Sequence, residues 1–246
     1  MKSPRDCLFL IGGHDLEMLE IIQILERNEL PYIDKKLTWG AKLSAYKELF
    51  DSSKILVGIE LQEDIPCPNN YISIDHHNER ANELASIEQI AELLGIQLSY
   101  YQQLVAANDK GYIPAMRALG ASESDIIFIR QKDRAAQGVT EQDELWGKEA
   151  VSNLQWQKGI AIAYTQSERF SPVTDRLEVV KLIVYNDYSL TYYGVNVDKL
   201  IAHYSHLIKT GKAYNGGGDA GFFGFANGMF DKSELKKKIQ EISELV

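Results

Sequence analysis

The stretch Tyr71-Ile72-Ser73-Ile74-Asp75-His76-His77-Asn78 constrains this chain more than any other. Tyr71 to Ile74 is short, apolar and rich in isoleucine, and Pro66, Pro68 and Asn69-Asn70 set it off as a buried strand. Three groups able to bind a cation follow it at once. In an open α/β sheet, ligands sit in the crevice outside the carboxyl ends of the strands, so a carboxylate and two imidazoles there are placed for a metal or a phosphate. The plainer alternative is a polar turn in which Asp75 caps the next helix. Distant partners decide between the two.

Upstream, Cys7 to Ile11 is an apolar run ended by Gly12-Gly13, and Asp15 to Leu25 carries Leu16, Leu19, Ile22 and Ile24-Leu25 at helical spacing. Asp15 suits the N-cap, and the turn presents His14, Asp15 and Glu17 together. Tyr32-Ile33 makes a second strand, Ala41 to Phe50 a helix, and Lys54 to Leu61 a strand that Glu60 closes. Downstream, a helix from Ser86 ends at Gly95, and another from Ser99 ends near Asn108-Asp109-Lys110-Gly111-Tyr112. Such a terminal turn can drop Asp109 into a crevice. The alternation of strand and helix through residue 80 implies a parallel sheet with right-handed crossovers. The pattern is then mostly helical to about residue 157, with the polar segment Arg130 to Asp143 expected as a mobile connection.

A second pattern opens at Gly159 to Tyr164, a strand, followed by a helix start at Ser171-Pro172 and strands at Lys181 to Tyr185 and Tyr188 to Val195. Asp198 to Ile208 reads as one helix. Tyr214-Asn215-Gly216-Gly217-Gly218-Asp219-Ala220-Gly221-Phe222 is either a hairpin tip or a loop whose glycines allow backbone to approach an oxyanion. The reading is therefore an α/β chain: a parallel-sheet N-terminal domain with flanking helices over residues 1–150, and a smaller mixed α/β C-terminal domain over 158–246.

Composition narrows the partners. A formal net charge of -9 disfavours long nucleic acid, and Lys236-Lys237-Lys238 reads as the solvated face of a final helix. Cys7 and Cys67 make no disulfide framework, and no stretch is apolar for long enough to be a signal peptide or a membrane span, so a cytoplasmic setting is expected. Homo-oligomerisation is left open.

His14, Asp15, Glu17, Glu60, Asp75, His76, His77 and Asp109 all fall where one edge of one sheet would gather them. Mixed carboxylate and imidazole donors suit Mn²⁺, with Mg²⁺ as the alternative. Two such ions can clamp the attacking and leaving oxygens of a phosphoryl centre.

With those residues set out, the chain resembles the DHH phosphoesterase family over nearly its full length. Asp75-His76-His77 after a strand matches the signature, and Ser189 to Phe225 follows the associated domain's order of strand, helix and glycine triplet. The resemblance implies that Asp15 and Glu17 are the first acidic pair, that Glu60 bridges the metals, and that His76 is a ligand. It further implies that Asp75 orients the signature, His77 meets the substrate phosphate, and Asp109 is the acid of the fourth motif. His14 joins the ligand set, although it stands beside the first acid and not several residues before it. Gly217, Gly218, Asp219 and Tyr193 are the implied substrate-binding positions.

Four departures accompany the match. Glu17 and Glu60 stand where the family has aspartate, Asp219 where it has histidine, and Tyr192-Tyr193 where a phosphate-gripping arginine is usual. The expected activity is metal-dependent hydrolysis of a small phosphorylated or nucleotide-like substrate, with one or two ions. The alternative is a catalytically degenerate module that binds a ligand or regulates.

Overall fold

The computed structural model describes residues 3–38, 40–217 and 221–246. It divides into two compact units, Met1–Gly138 and Val139–Val246. The first unit holds β1 (Cys7–Ile11), α1 (Leu16–Arg27), β2 (Tyr32–Asp34), β3 (Ile55–Ile59), β4 (Tyr71–Ile74), α2 (Ser86–Leu94), α3 (Tyr100–Ala118) and α4 (Glu123–Ala136). Its four strands lie in the order β2-β1-β3-β4, and every pairing is parallel.

A parallel sheet covered on both faces needs strands that are apolar on both sides, which is why Cys7 to Ile11 reads as an unbroken apolar run. The period of two sends Phe9 and Ile11 to one face, where they pack with Met18, Ile21 and Leu25 of α1 and Ile87 and Ile90 of α2. Leu10 goes to the other face, with Leu56, Leu43 and Tyr46. The Tyr46 hydroxyl donates to the Ile11 carbonyl at 2.7 Å, tying that layer to the end of β1. This layer is a 3₁₀ helix over Leu43–Leu49, not the α-helix expected over Ala41 to Phe50.

The strand order has a chemical consequence. The chain leaves β1 toward β2 on one side, then crosses back to β3 on the other. The carboxyl ends of β1 and β3 are therefore the point at which the winding reverses, and there the connections diverge and leave a crevice.

Two helices of this unit depart from the sequence pattern. The helix of Tyr100–Ala118 is broken at Gly111 and Tyr112, the latter at φ 59° and ψ -149°. Its first part ends where expected and a second part then runs on. The mobile connection expected over Arg130 to Asp143 is instead mostly helical. Residues to Ala136 belong to α4, and a new helix begins at Glu141. Polarity misleads here because Arg130, Asp133 and Arg134 are buried and Arg130 and Asp133 pair with each other, so those charges are satisfied by protein and not by water.

The second unit contains α5 (Glu141–Ser152), β5 (Gln155–Gln157), β6 (Ile160–Tyr164), α6 (Ser171–Thr174), β7 (Lys181–Tyr185), β8 (Leu190–Gly194), α7 (Val197–His203), α8 (Ser205–Lys209), β9 (Ala213–Gly216), β10 (Phe222–Phe225) and α9 (Lys232–Leu245). Its sheet runs β5-β6-β7-β8-β10-β9, with β6 and β7 parallel and the other pairings antiparallel. The short exposed strand β5 carries no apolar alternation, so the sequence did not mark it. The helix expected over Asp198 to Ile208 is two short ones that meet at Tyr204. Tyr192, Phe223 and Phe225 are core residues, in line with their alternation on strands. No described helix is long and apolar enough to cross a membrane.

Candidate metal centre

Three of the expected groups arrive on the loops that leave parallel strands. Asp15 and Glu17 follow β1, Glu60 follows β3, and Asp75, His76 and His77 follow β4. Asp109 comes from the last turn of α3 before its break. Gly12 lets the first two loops meet: a Cβ there would lie 2.1 Å from the Ile59 carbonyl oxygen and 2.5 Å from that of Glu60. At Gly13 the position a Cβ would take lies 3.4 Å from Glu60 Oε2 and 3.8 Å from Asp15 Oδ2, so both carboxylates border one small space. Glu60 itself adopts φ 51°, a left-handed conformation costly for a residue with a side chain. Its amide is held by the Ile74 carbonyl at 2.8 Å, which ties the end of β3 to the end of β4.

Glu60, His76, His77 and Asp109 each offer a ligand atom, and these atoms all lie within 4.8 Å of one another. His76 Nε2 is 2.8 Å from Asp109 Oδ2, and His76 Nδ1 is 3.9 Å from Glu60 Oε1. Glu17 Oε2 and Glu60 Oε1 are buried without a hydrogen-bond partner, and His76 Nε2 and Asp109 Oδ2 are buried with no partner but each other. Stranded polar atoms cost free energy, and several converging on one space is the arrangement that a shared cation relieves. Their mix of carboxylate oxygen and imidazole nitrogen suits a divalent cation.

Supporting contacts orient these groups. Ser86 Oγ lies 3.3 Å from His76 Nδ1, and with the proton on Nδ1 the Nε2 lone pair faces Asp109. Glu17 is fully buried, and its Oε1 accepts from the Ile87 amide at 3.0 Å in the first turn of α2. Asp15 caps α1, accepting from the Met18 amide at 2.9 Å, so the capping role and a place beside the crevice coexist. Asp75 Oδ1 accepts from the His77 amide at 2.9 Å and lies 3.0 Å from His77 Nδ1. The His76 and His77 rings stack at 4.4 Å, with His77 exposed and His76 buried.

Not every expected residue joins this group. His14 is exposed, and the four converging donors do not include it. Tyr193 lies on β8 opposite Phe222, and Gly217 sits at φ 83° beyond β9, both in the second unit. Gly218 and Asp219 lie outside the described residues. Ser86, Gly12 and the glycine-enforced contact of the two loops carried no signal of their own in the sequence beyond a helix start and a turn.

The acids repel one another. Burial, then Asp109, then Glu60 push the Asp15 carboxyl from its ordinary 3.8 up to about 7. Burial first and Asp109 second also raise Glu17 and Glu60. His76 is pulled down by burial, but the Asp109 contact outweighs this and raises it. A group whose pKa is higher folded than unfolded holds extra protons in the folded state, and the stability this supplies is lost as pH rises through the folded value. Metal-free protein is thus expected to lose stability as pH climbs from about 4 through about 7, and Mn²⁺ to restore it with release of protons. Urea midpoints across that window, with EDTA and with Mn²⁺, check this; a metal-free midpoint that rises with pH contradicts it.

No family model matches the chain, and no curated protein matches it by sequence. Among solved structures it is similar to the pGpG-specific phosphodiesterase PggH from Vibrio cholerae, with TM-score 0.49 and 11% identity over 97% of this chain and 98% of that one. It is also similar to the DHH domain of a protein described as a member of a family of ribosomal proteins, with TM-score 0.44 and 12% identity over 93% of this chain and 74% of that one. A third likeness is to RecJ from Thermus thermophilus in complex with Mn²⁺, with TM-score 0.35 and 9% identity over 97% of this chain and 52% of that one.

Proposed function

We propose that the chain is a metal-dependent phosphoesterase that hydrolyses a small phosphorylated or nucleotide-like substrate. The observation that carries this reading is the convergence of Glu60, His76, His77 and Asp109 around buried donor atoms that have no partner outside the cluster. Glu60, His76 and Asp109 would hold a divalent ion, with Asp15 and Glu17 completing the set, and Mn²⁺ is the preferred ion. Once bound, it supplies Lewis acidity toward a phosphoryl oxygen and makes water a nucleophile near neutral pH.

The chain's own groups do the rest. Asp75 Oδ1, 3.0 Å from His77 Nδ1, favours the tautomer protonated there, which leaves the Nε2 lone pair available to move a proton at a substrate oxygen. Ser86 fixes the orientation of the His76 ring through Nδ1. The first unit is thereby assigned the metal and the chemistry. The second, with Gly217, Gly218, Asp219 and Tyr193, is assigned substrate binding. A reducing cytoplasm is the proposed setting, since two cysteines in a chain of 246 residues make no disulfide framework.

A degenerate binding module is the second reading. It is favoured by Glu17, whose one oxygen is already committed to the Ile87 amide. The two part on one experiment. EDTA-stripped protein is reloaded with Mn²⁺, its metal content measured, and hydrolysis of bis(p-nitrophenyl) phosphate and of short dinucleotides followed. Metal uptake with turnover supports the enzyme. Uptake without turnover supports the module, and no uptake overturns both assignments of the centre.

A further inference from the structure

The expected mobile connection turns out to carry a buried ion pair, and both of its members reach toward the candidate centre. Asp133 and Arg130 are each about 5% exposed. Asp133 Oδ1 accepts from the Leu16 amide at 3.3 Å, and Leu16 lies between Asp15 and Glu17. Asp133 Oδ2 accepts from Arg130 Nη1 at 2.6 Å and from Gln137 Nε2 at 3.0 Å. Arg130 Nη1 also donates to Asn108 Oδ1 at 2.8 Å, beside Asp109. Arg130 Nη2 donates to the Tyr112 hydroxyl at 3.0 Å, and the guanidinium lies 4.0 Å from the centre of that ring. Tyr112 is the residue whose left-handed backbone breaks α3 just after Asp109.

We infer that Asp133 and Arg130 are positioning residues, which lock the acid-bearing segments 15–17 and 108–112 into one arrangement for the cation. The inference rests on the metal reading above. The bonds that tie them to the centre run through Leu16, Asn108 and Tyr112. Packing does not explain them. Ile126 and Ile129 already seat α4 against Leu16, Leu104, Val105 and Met116, and a buried ion pair is seldom better for stability than apolar residues of the same volume. What the pair adds is a bond to each of two segments far apart in the chain. The planar guanidinium can hold Asn108, Asp133 and Tyr112 at once, which a lysine ammonium would do without the same fixed directions. Four mutually repelling carboxylates also need an external brace when no ion is bound, and a carboxylate–guanidinium pair provides one without adding net charge.

The test uses the full chain, stripped with EDTA and titrated with Mn²⁺ by calorimetry, with hydrogen exchange followed at the amides of Leu16 and of residues 109–112. Asp133→Ala is expected to weaken Mn²⁺ affinity about tenfold or more. Asp133→Asn, whose amide oxygen can still accept from Leu16, recovers part of the loss. Leu30→Ala, which opens the core between the sheet and α1 near the start of β2 and not the cluster that seats α4, lowers the melting temperature but leaves Mn²⁺ affinity and exchange at these amides unchanged. Should Asp133→Ala fail to fold, Arg130→Lys is read in the same way. A folded Asp133→Ala or Arg130→Lys that binds Mn²⁺ within twofold of the wild type overturns the inference, as does an equal loss in Leu30→Ala. Wild-type protein that takes up no Mn²⁺ overturns the metal reading, and this inference falls with it.

Discussion

Replacing His76 by alanine is expected to weaken Mn²⁺ affinity about a hundredfold or more and to remove any metal-dependent hydrolysis. The imidazole stands between two acids, 2.8 Å from Asp109 and 3.9 Å from Glu60, with its ring set by Ser86. Without it those carboxylates lose the buried imidazole among them, and only the exposed His77 of the cluster is left to carry positive charge. Their mutual repulsion then raises their proton affinity further, and protons compete with the cation for the site. The metal-free stability of His76→Ala should change less than its affinity, because burial already raises the proton affinity of Asp15, Glu17 and Glu60 in the metal-free site. Calorimetric titration at pH 7.5, with thermal melting in EDTA, measures both. Wild-type affinity in His76→Ala would remove the ion from this cluster altogether.

Gly12→Ala is expected to destabilise the first unit by about 3 kcal/mol or more, and to lower metal affinity in whatever folds. A Cβ would sit 2.1 Å and 2.5 Å from two backbone carbonyl oxygens, and backbone cannot swing aside as a flexible side chain can. Relief requires the end of β1 to part from the end of β3, which carries Glu60 away from Asp15. Gly95→Ala is the comparison: the space there is open, and only its left-handed φ of 68° is strained. It should cost less, about 1 kcal/mol, with affinity intact. Urea unfolding of both variants, followed by Mn²⁺ titration, separates backbone collision from general loss of stability. Equal midpoints for Gly12→Ala and wild type would show that the loops need not touch.

The strands and the residues just beyond them were readable because a parallel sheet writes itself as apolar runs ended by polar turns. Cys7 to Ile11, Tyr71 to Ile74 and Lys181 to Tyr185 all fall on strands with bounds close to those expected. The end of the first part of α3 was readable too, since Gly111 follows an apolar face, but the second part that runs on to Ala118 was not. What misled were segments whose polar residues satisfy one another. Arg130 to Ala136 looks solvated in sequence, but Arg130 and Asp133 are buried and spend their charges on each other, Asn108 and the Leu16 amide. Asp198 to Ile208 has helical spacing throughout, and its interruption at Tyr204 reflects that ring's packing against Phe223 and Phe225, contacts that no local pattern encodes.

By itself, then, the sequence determined which groups are available, namely acids and imidazoles placed after apolar runs, and an α/β architecture that would bring such ends to one side. Local chemistry suffices for that, because strand periodicity, glycine turns and helix caps act over a few residues. Only the tertiary structure decided which of them meet. The partnership of His76 with Asp109 and Glu60, the contact of two loops at Gly12, and the brace from Asp133 to Leu16 join positions 16 to 117 residues apart, and nothing but the closing of the fold brings such distant atoms within a bond's reach.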